Sequence, residues 1–113
     1  MHTKHKGHLG ELIACMFLFF KGFRILEKRY KTQCGEIDII AKKRDLVAFI
    51  EVKYRKSEEK CYVAVTDKQL KRIQRASQIF LGRNPKLSTN PIRFDVILVS
   101  YWSIPIHIEN VSM

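Results

Sequence analysis

Apolar positions in this chain fall into runs whose lengths and periods name the elements they build. Leu12 to Phe20 is an unbroken run of nine apolar residues, preceded by a basic start and followed by Lys21-Gly22-Phe23. Such a run is too short to cross a bilayer core, which needs about 20 residues, and no small-residue cleavage pattern follows Phe20. It predicts a buried helix that stops at Gly22, with Phe23 folded back on the last turn. The segments Arg24–Tyr30, Gly35–Ala41 and Val47–Arg55 are rich in Ile, Val, Phe and Tyr and have the length of strands. Thr66-Asp67-Lys68-Gln69 fits a capping box, so a second helix starts there and runs to about Leu81, before Gly82. Its core stripe is Leu70, Ile73, Ser77, Phe80 and Leu81. Turn residues from Gly82 to Pro91 make a loop, Arg93–Val99 reads as a buried strand, and Pro105 marks Ile104–Glu109 as an edge strand. The order is helix, three strands, helix, two strands. That predicts an α/β (α+β) class, with a mixed central sheet of about five strands flanked by helices.

The second and third strands form a hairpin that carries acids. With its turn at Lys43 to Leu46, residue 42 pairs with 47, and counting outward sets 40 against 49, 38 against 51 and 36 against 53. Asp38 then faces Glu51. Alternation gathers Glu36, Asp38, Glu51, Lys53 and Arg55 on one face, where opposed Cβ atoms lie about 5 Å apart. Ile40, Val47 and Phe49 share that face, so the acids border a partly buried surface on which an unpaired charge is costly. Carboxylates that close repel unless one is protonated or a cation sits between them, and a hard divalent ion with oxygen ligands is the natural cation. The plain alternative is a solvated hairpin side, with Glu36 and Lys53 as a cross-strand ion pair.

At these residues the wording of the chain becomes specific. Asp38, followed thirteen positions later by Glu51-Val52-Lys53, resembles the Asp…Glu-x-Lys core of restriction-endonuclease-like nucleases. Gly35-Glu36-Ile37-Asp38-Ile39-Ile40-Ala41, Phe49-Ile50-Glu51-Val52-Lys53 and Arg93-Phe94-Asp95-Val96 together resemble the YraN-type endonuclease family, bacterial proteins similar to archaeal Holliday-junction resolvases. The resemblance spans nearly the whole chain. It implies a restriction-endonuclease-like fold and a metal-dependent endonuclease that hydrolyses phosphodiester bonds of DNA, branched Holliday-junction-like DNA included. It also implies Mg²⁺ or Mn²⁺ held by Asp38 and Glu51, with the Val52 carbonyl as a main-chain ligand and Lys53 as the catalytic cation. Glu36 and Arg55 would support those ligands or touch substrate. Two readings of Glu11 stand side by side. One is a first-turn carboxylate favoured by the helix dipole; the other, by resemblance to the acid on the first helix of the resolvases, is a further metal ligand. Asp95 beside Arg93 reads as an ion pair rather than a catalytic acid.

Charge adds a partner to this picture. Lys and Arg number 21 against 11 Asp and Glu, for a net charge of +10, and such an excess in a small domain draws polyanions. Lys68, Lys71, Arg72 and Arg75 cluster opposite the core stripe of the second helix without acidic partners four residues on, which predicts a nucleic-acid-binding face. DNA is favoured over RNA, and no membrane partner is expected, because the helix lacks the aromatic wealth of interfacial helices. The same face also fits a non-catalytic nucleic-acid-binding module whose acid cluster is vestigial. A chain of 113 residues, 46% of them apolar, predicts one nuclease-like domain over 1–113. Three cysteines without metal-ligand spacing suit a reducing, cytoplasmic setting. His2, His5 and His8 fall in what reads as a frayed tail, and Lys56–Lys60 reads as a polar loop beside the site. The apolar surplus of Leu12 to Phe20 leads to the expectation of a symmetric homodimer.

Overall fold

The computed structural model describes residues 2–54, 66–100 and 103–111, with residues 2–8 through their backbone. The elements are α1 (His2–Phe20), β1 (Arg24–Thr32), β2 (Gly35–Lys43), β3 (Leu46–Tyr54), α2 (Asp67–Arg83), β4 (Ile92–Val99) and β5 (Ile106–Ile108). All five strands join one sheet in the order β1-β2-β3-β4-β5. The pair β3 and β4, which α2 connects, is parallel, and every other pair is antiparallel. The result is a mixed α/β architecture compatible with a restriction-endonuclease-like fold.

Alternation along β2 and β3 divides the core into two halves, one under each helix. Ile39, Ala41, Ala48 and Ile50 pack with Ala14, Leu18 and Phe23 on the α1 side. Ile40, Val47 and Phe49 pack with Ala76 and Phe80 on the α2 side. Because both faces are covered, β3 and β4 are apolar nearly throughout, as parallel pairs require. The capping box forms as expected, with the Thr66 hydroxyl accepting from Gln69 N–H and the Gln69 side chain accepting from Thr66 N–H, both at 3.1 Å. At the end of α1, Gly22 takes φ of +96° and Phe23 N–H donates to the Leu18 carbonyl at 2.9 Å. This is a Schellman closure that buries Phe23 on the last turn.

Three expectations change. α1 begins at His2, so the segment read as a frayed tail is its first turns and Glu11 lies mid-helix. The dipole reading of Glu11 falls with that, since the dipole acts within the terminal turn. Nor is the apolar run buried all round. Ala14 and Leu18 are fully enclosed, whereas Leu9, Leu12 and Met16 are half exposed and Phe19 and Phe20 are 68% and 80% exposed. One sheet face can cover only one side of a helix, and a run with no polar positions does not reveal which side is left over. Lastly, α2 continues through Gly82 to Arg83, where the Asn84 side chain donates to the Phe80 carbonyl at 2.8 Å and closes the end. Among the described residues no helix is long and apolar enough to cross a membrane.

Candidate metal centre and nucleic-acid interface

The hairpin count holds from Lys43↔Leu46 through Ile40↔Phe49 to Ile39↔Ile50, where the paired ladder of β2 and β3 ends. Asp38 and Glu51 are the next residues on each strand. There the Asp38 side chain takes over from the backbone, its Oδ2 accepting from Val52 N–H at 2.8 Å. Glu36, Asp38, Glu51, Gln69, Arg72 and Ile73 line a cleft of about 290 Å³ between the strand ends and the start of α2. Burial pushes the Asp38 carboxyl up to about 7; the Val52 N–H pulls against that, while the charges of Glu51, Glu11 and Glu36 add to it. Lys53 Nζ stands 3.5 Å from Glu51 Oε2. It pairs with that acid along its own strand rather than across to Glu36, as the solvated-hairpin alternative would have it.

A second cavity adjoins the first. Gln33, Cys34, Lys68, Lys71, Arg72 and Arg75 line a groove of about 430 Å³. The four bases predicted from the helix period thus face one space, and Arg72 borders both cavities. Gly35 fixes the path of that side chain. Its φ is +142°, and a Cβ there would come 2.7 Å from Arg72 Cγ and 2.9 Å from Cδ. The arginine stem therefore runs over bare backbone at the β1–β2 turn.

Glu11 is elsewhere engaged. Its Oε1 accepts from Arg29 Nη1 at 2.7 Å, and its side chain is only 13% exposed. Among the described residues no three His, Cys, Asp or Glu side chains are gathered closely enough to share one metal ion. Asp38, Glu51 and Glu36 line one cleft without closing into such a group, and Glu11 is paired to a guanidinium. Arg55 and the Lys56–Lys60 loop lie outside the described residues.

Asp95 is held as an ion pair, as its neighbour suggested. Its Oδ1 accepts from Arg93 Nε and Asn110 N–H, both at 2.9 Å, and its Oδ2 from Arg93 Nη2 at 2.9 Å and His107 Nε2 at 2.8 Å. The other imidazole nitrogen, Nδ1, sits 2.7 Å from Lys21 Nζ. An ammonium can only donate, so Nδ1 accepts and Nε2 carries the proton given to Asp95. Burial alone would raise the Asp95 carboxyl, but the donors His107, Arg93 and Asn110 outweigh it and hold the group below its usual value.

Comparison with known proteins fixes the lineage. A model described as "Uncharacterised protein family UPF0102" matches residues 10–99. The chain belongs to UPF0102. A UPF0102 protein of Mesorhizobium japonicum is 42% identical over 105 residues, 93% of this chain and 84% of the relative. One from Rhizobium meliloti is 44% identical over 105 residues, 93% and 86% of the two chains. One from a Bradyrhizobium strain is 48% identical over 102 residues, 90% and 75%. The family match agrees with the YraN-type resemblance carried by the three sequence blocks.

Three residues of this UPF0102 site were not legible beforehand. Gln69 reads as part of the capping box, and Gln33 and Cys34 fall between the first two predicted strands, yet all three line the cavities. Their polar side chains and nearness to the charged blocks are the only signal the chain offered.

Proposed function

We propose that this UPF0102 chain is a metal-dependent nuclease-like domain that binds DNA through the α2 groove and hydrolyses phosphodiester bonds at the Asp38 cleft. The observation that carries the reading is the junction at Arg72, where a cleft lined by three carboxylates opens beside a groove lined by four bases. A backbone lying in the groove would pass its next phosphate to the acids. Those acids suit a hard divalent cation such as Mg²⁺ or Mn²⁺, because burial and the neighbouring acids all disfavour the charged form of Asp38, and among the described residues only the Val52 N–H acts the other way on it. Asp38 and Glu51 would hold the ion. Such an ion polarises a phosphate and acidifies a water molecule. Lys53, beside Glu51, would neutralise charge developing on the phosphoryl oxygens, a task suited to a compact cation. Glu36 would help enclose the ion from the cleft wall.

The test is a cleavage panel in Mg²⁺ and in Mn²⁺ over duplex, single-stranded, branched and RNA substrates. Cutting of at least one DNA class supports the reading. Binding with no cutting anywhere transfers the protein to the non-catalytic module. That second reading has one observation in its favour, the engagement of Glu11 by Arg29.

Affinity for duplex should fall steeply with salt. Four phosphate contacts imply a log–log slope of about −3 to −4, and Lys71→Ala/Arg72→Ala should halve it to about −2. Fluorescence anisotropy across a salt series reads this directly, and equal slopes for the two proteins would remove α2 from the interface.

The exposed stripe Leu9, Leu12, Met16, Phe19 and Phe20 of α1 supports the pairing of two copies through that helix. Sedimentation at micromolar concentration should then find twice the 13.3 kDa mass. A lone 13.3 kDa species would sink the idea.

A further inference from the structure

Arg29 stands in the middle of β1 with φ of +50°. That left-handed conformation is one a long side chain seldom adopts, and where it occurs the surrounding structure enforces it. Lys28 pairs with Ile39 and Tyr30 with Ile37, so Arg29 is in register with Asp38. From that position its guanidinium donates to Glu11 on α1. The two ends of the ion pair are unequal, with 13% of the Glu11 side chain exposed against 41% of that of Arg29. Arg29 can therefore trade Glu11 for an anion arriving from solvent, whereas Glu11 cannot lose Arg29 without being left enclosed and unpaired. Through Arg29, Glu11 is tied to the stretch of β1 that runs beside Asp38, and its charge is among those that raise the Asp38 carboxyl. Once Arg29 leaves, Glu11 joins Asp38 and Glu51 as an acid in need of a cation.

We infer that Arg29 is an exchangeable counter-ion, holding Glu11 in the free protein and passing to a nucleic-acid phosphate on binding, so that Glu11 is released to the divalent cation at Asp38 and Glu51. The planar fork of a guanidinium accepts either partner, since carboxylate and phosphate present matching pairs of oxygens. Nucleic acid and metal each favour the open pair, and linkage makes them favour one another. The inference rests on the metal-dependent reading above and supplies the coupling between its two ligands.

The experiment is Mn²⁺ titration by calorimetry, without nucleic acid, on wild type, Arg29→Gly, Glu11→Gln and the double variant. Glycine is chosen because it takes φ of +50° freely and so preserves the strand; Arg29→Asn, which also tolerates that region, replaces it should the glycine variant fail to fold. Arg29→Gly should bind Mn²⁺ about 5- to 10-fold more tightly than wild type, a coupling of ordinary size. The gain should vanish in the Glu11→Gln background. Lys28→Gln, which removes the same charge one residue away, should gain less than about twofold, since an exposed charge acts only weakly at a distance. Adding a short duplex should tighten Mn²⁺ binding by wild type more than by Arg29→Gly. Equal affinities for wild type and Arg29→Gly, or a gain that persists without Glu11, overturn the inference while leaving the metal site standing. Wild type that takes up no Mn²⁺ overturns both.

Discussion

Replacing Asp38 by asparagine will make the metal-free protein more stable at neutral pH and, on the proposed function, will cut cleavage at least about a hundredfold, equivalent to about 2.7 kcal/mol of barrier. Both effects come from one carboxylate. Asparagine keeps the size of the side chain and an oxygen for Val52 N–H, but removes an anion from a cleft that already holds Glu36 and Glu51. The Asp38 carboxyl titrates near 7 in the folded protein against an ordinary 3.8. Its contribution to stability is therefore complete below pH 4, declines as pH rises through the interval from about 4 to 7, and stays lost above it. At pH 8 the variant should be more stable by on the order of 2–4 kcal/mol in EDTA. Below pH 4 the two proteins should converge. DNA binding in EDTA should hold steady or tighten by about 1 kcal/mol, since an acid beside a phosphate is repulsive. Denaturant curves at several pH values, with the cleavage panel run alongside, check every part. Undiminished cleavage by Asp38→Asn would place the activity in another site or another protein.

Asp95→Asn should unfold the protein far more easily. The fully enclosed carboxylate of Asp95 receives donors from Arg93, His107 and the Asn110 backbone, and an amide in its place turns N–H groups toward at least one of them. Breaking one partner of a buried pair typically costs about 3–5 kcal/mol, which for a chain of this size is a fall in Tm of roughly 10–20 °C. The pH dependence has the opposite sign from that of Asp38. A depressed carboxyl contributes stability above its unfolded value near 3.8, and that stability is lost as pH falls through the lower folded value. Wild type should thus weaken in acid below about pH 4, and the variant should lack that part of the slope. A melting temperature within about 2 °C of wild type would show that the network contributes little.

The hairpin was readable because two local rules agree on it. A turn at Lys43–Leu46 and strict alternation place Ile40 against Phe49, and the ladder obeys both as far as Ile39↔Ile50. The capping box at Thr66 and the basic face of α2 are equally local, resting on spacings of three and four residues. What escaped is non-local or lacks a sequence mark. Lys21 and His107 are 86 positions apart, and no pattern in either segment points to the other. Arg29 adopts a glycine-like conformation without a glycine or asparagine to announce it. Glu11 reads as a first-turn residue of its helix, whereas it lies mid-helix, because residues 2–8 contain no capping box like the one that marks the start of α2.

The close approach of Gly35 to Arg72 bears on how variants of this protein should be scored. In a saturation-mutagenesis screen read by DNA capture, position 35 would register as strongly as the arginine, because any side chain introduced there meets Arg72 Cγ and Cδ and dislodges the guanidinium that borders both cavities. Position 35 would then look like a recognition residue while presenting to the ligand nothing but a hydrogen atom; its whole contribution is to be the mould in which the arginine is cast.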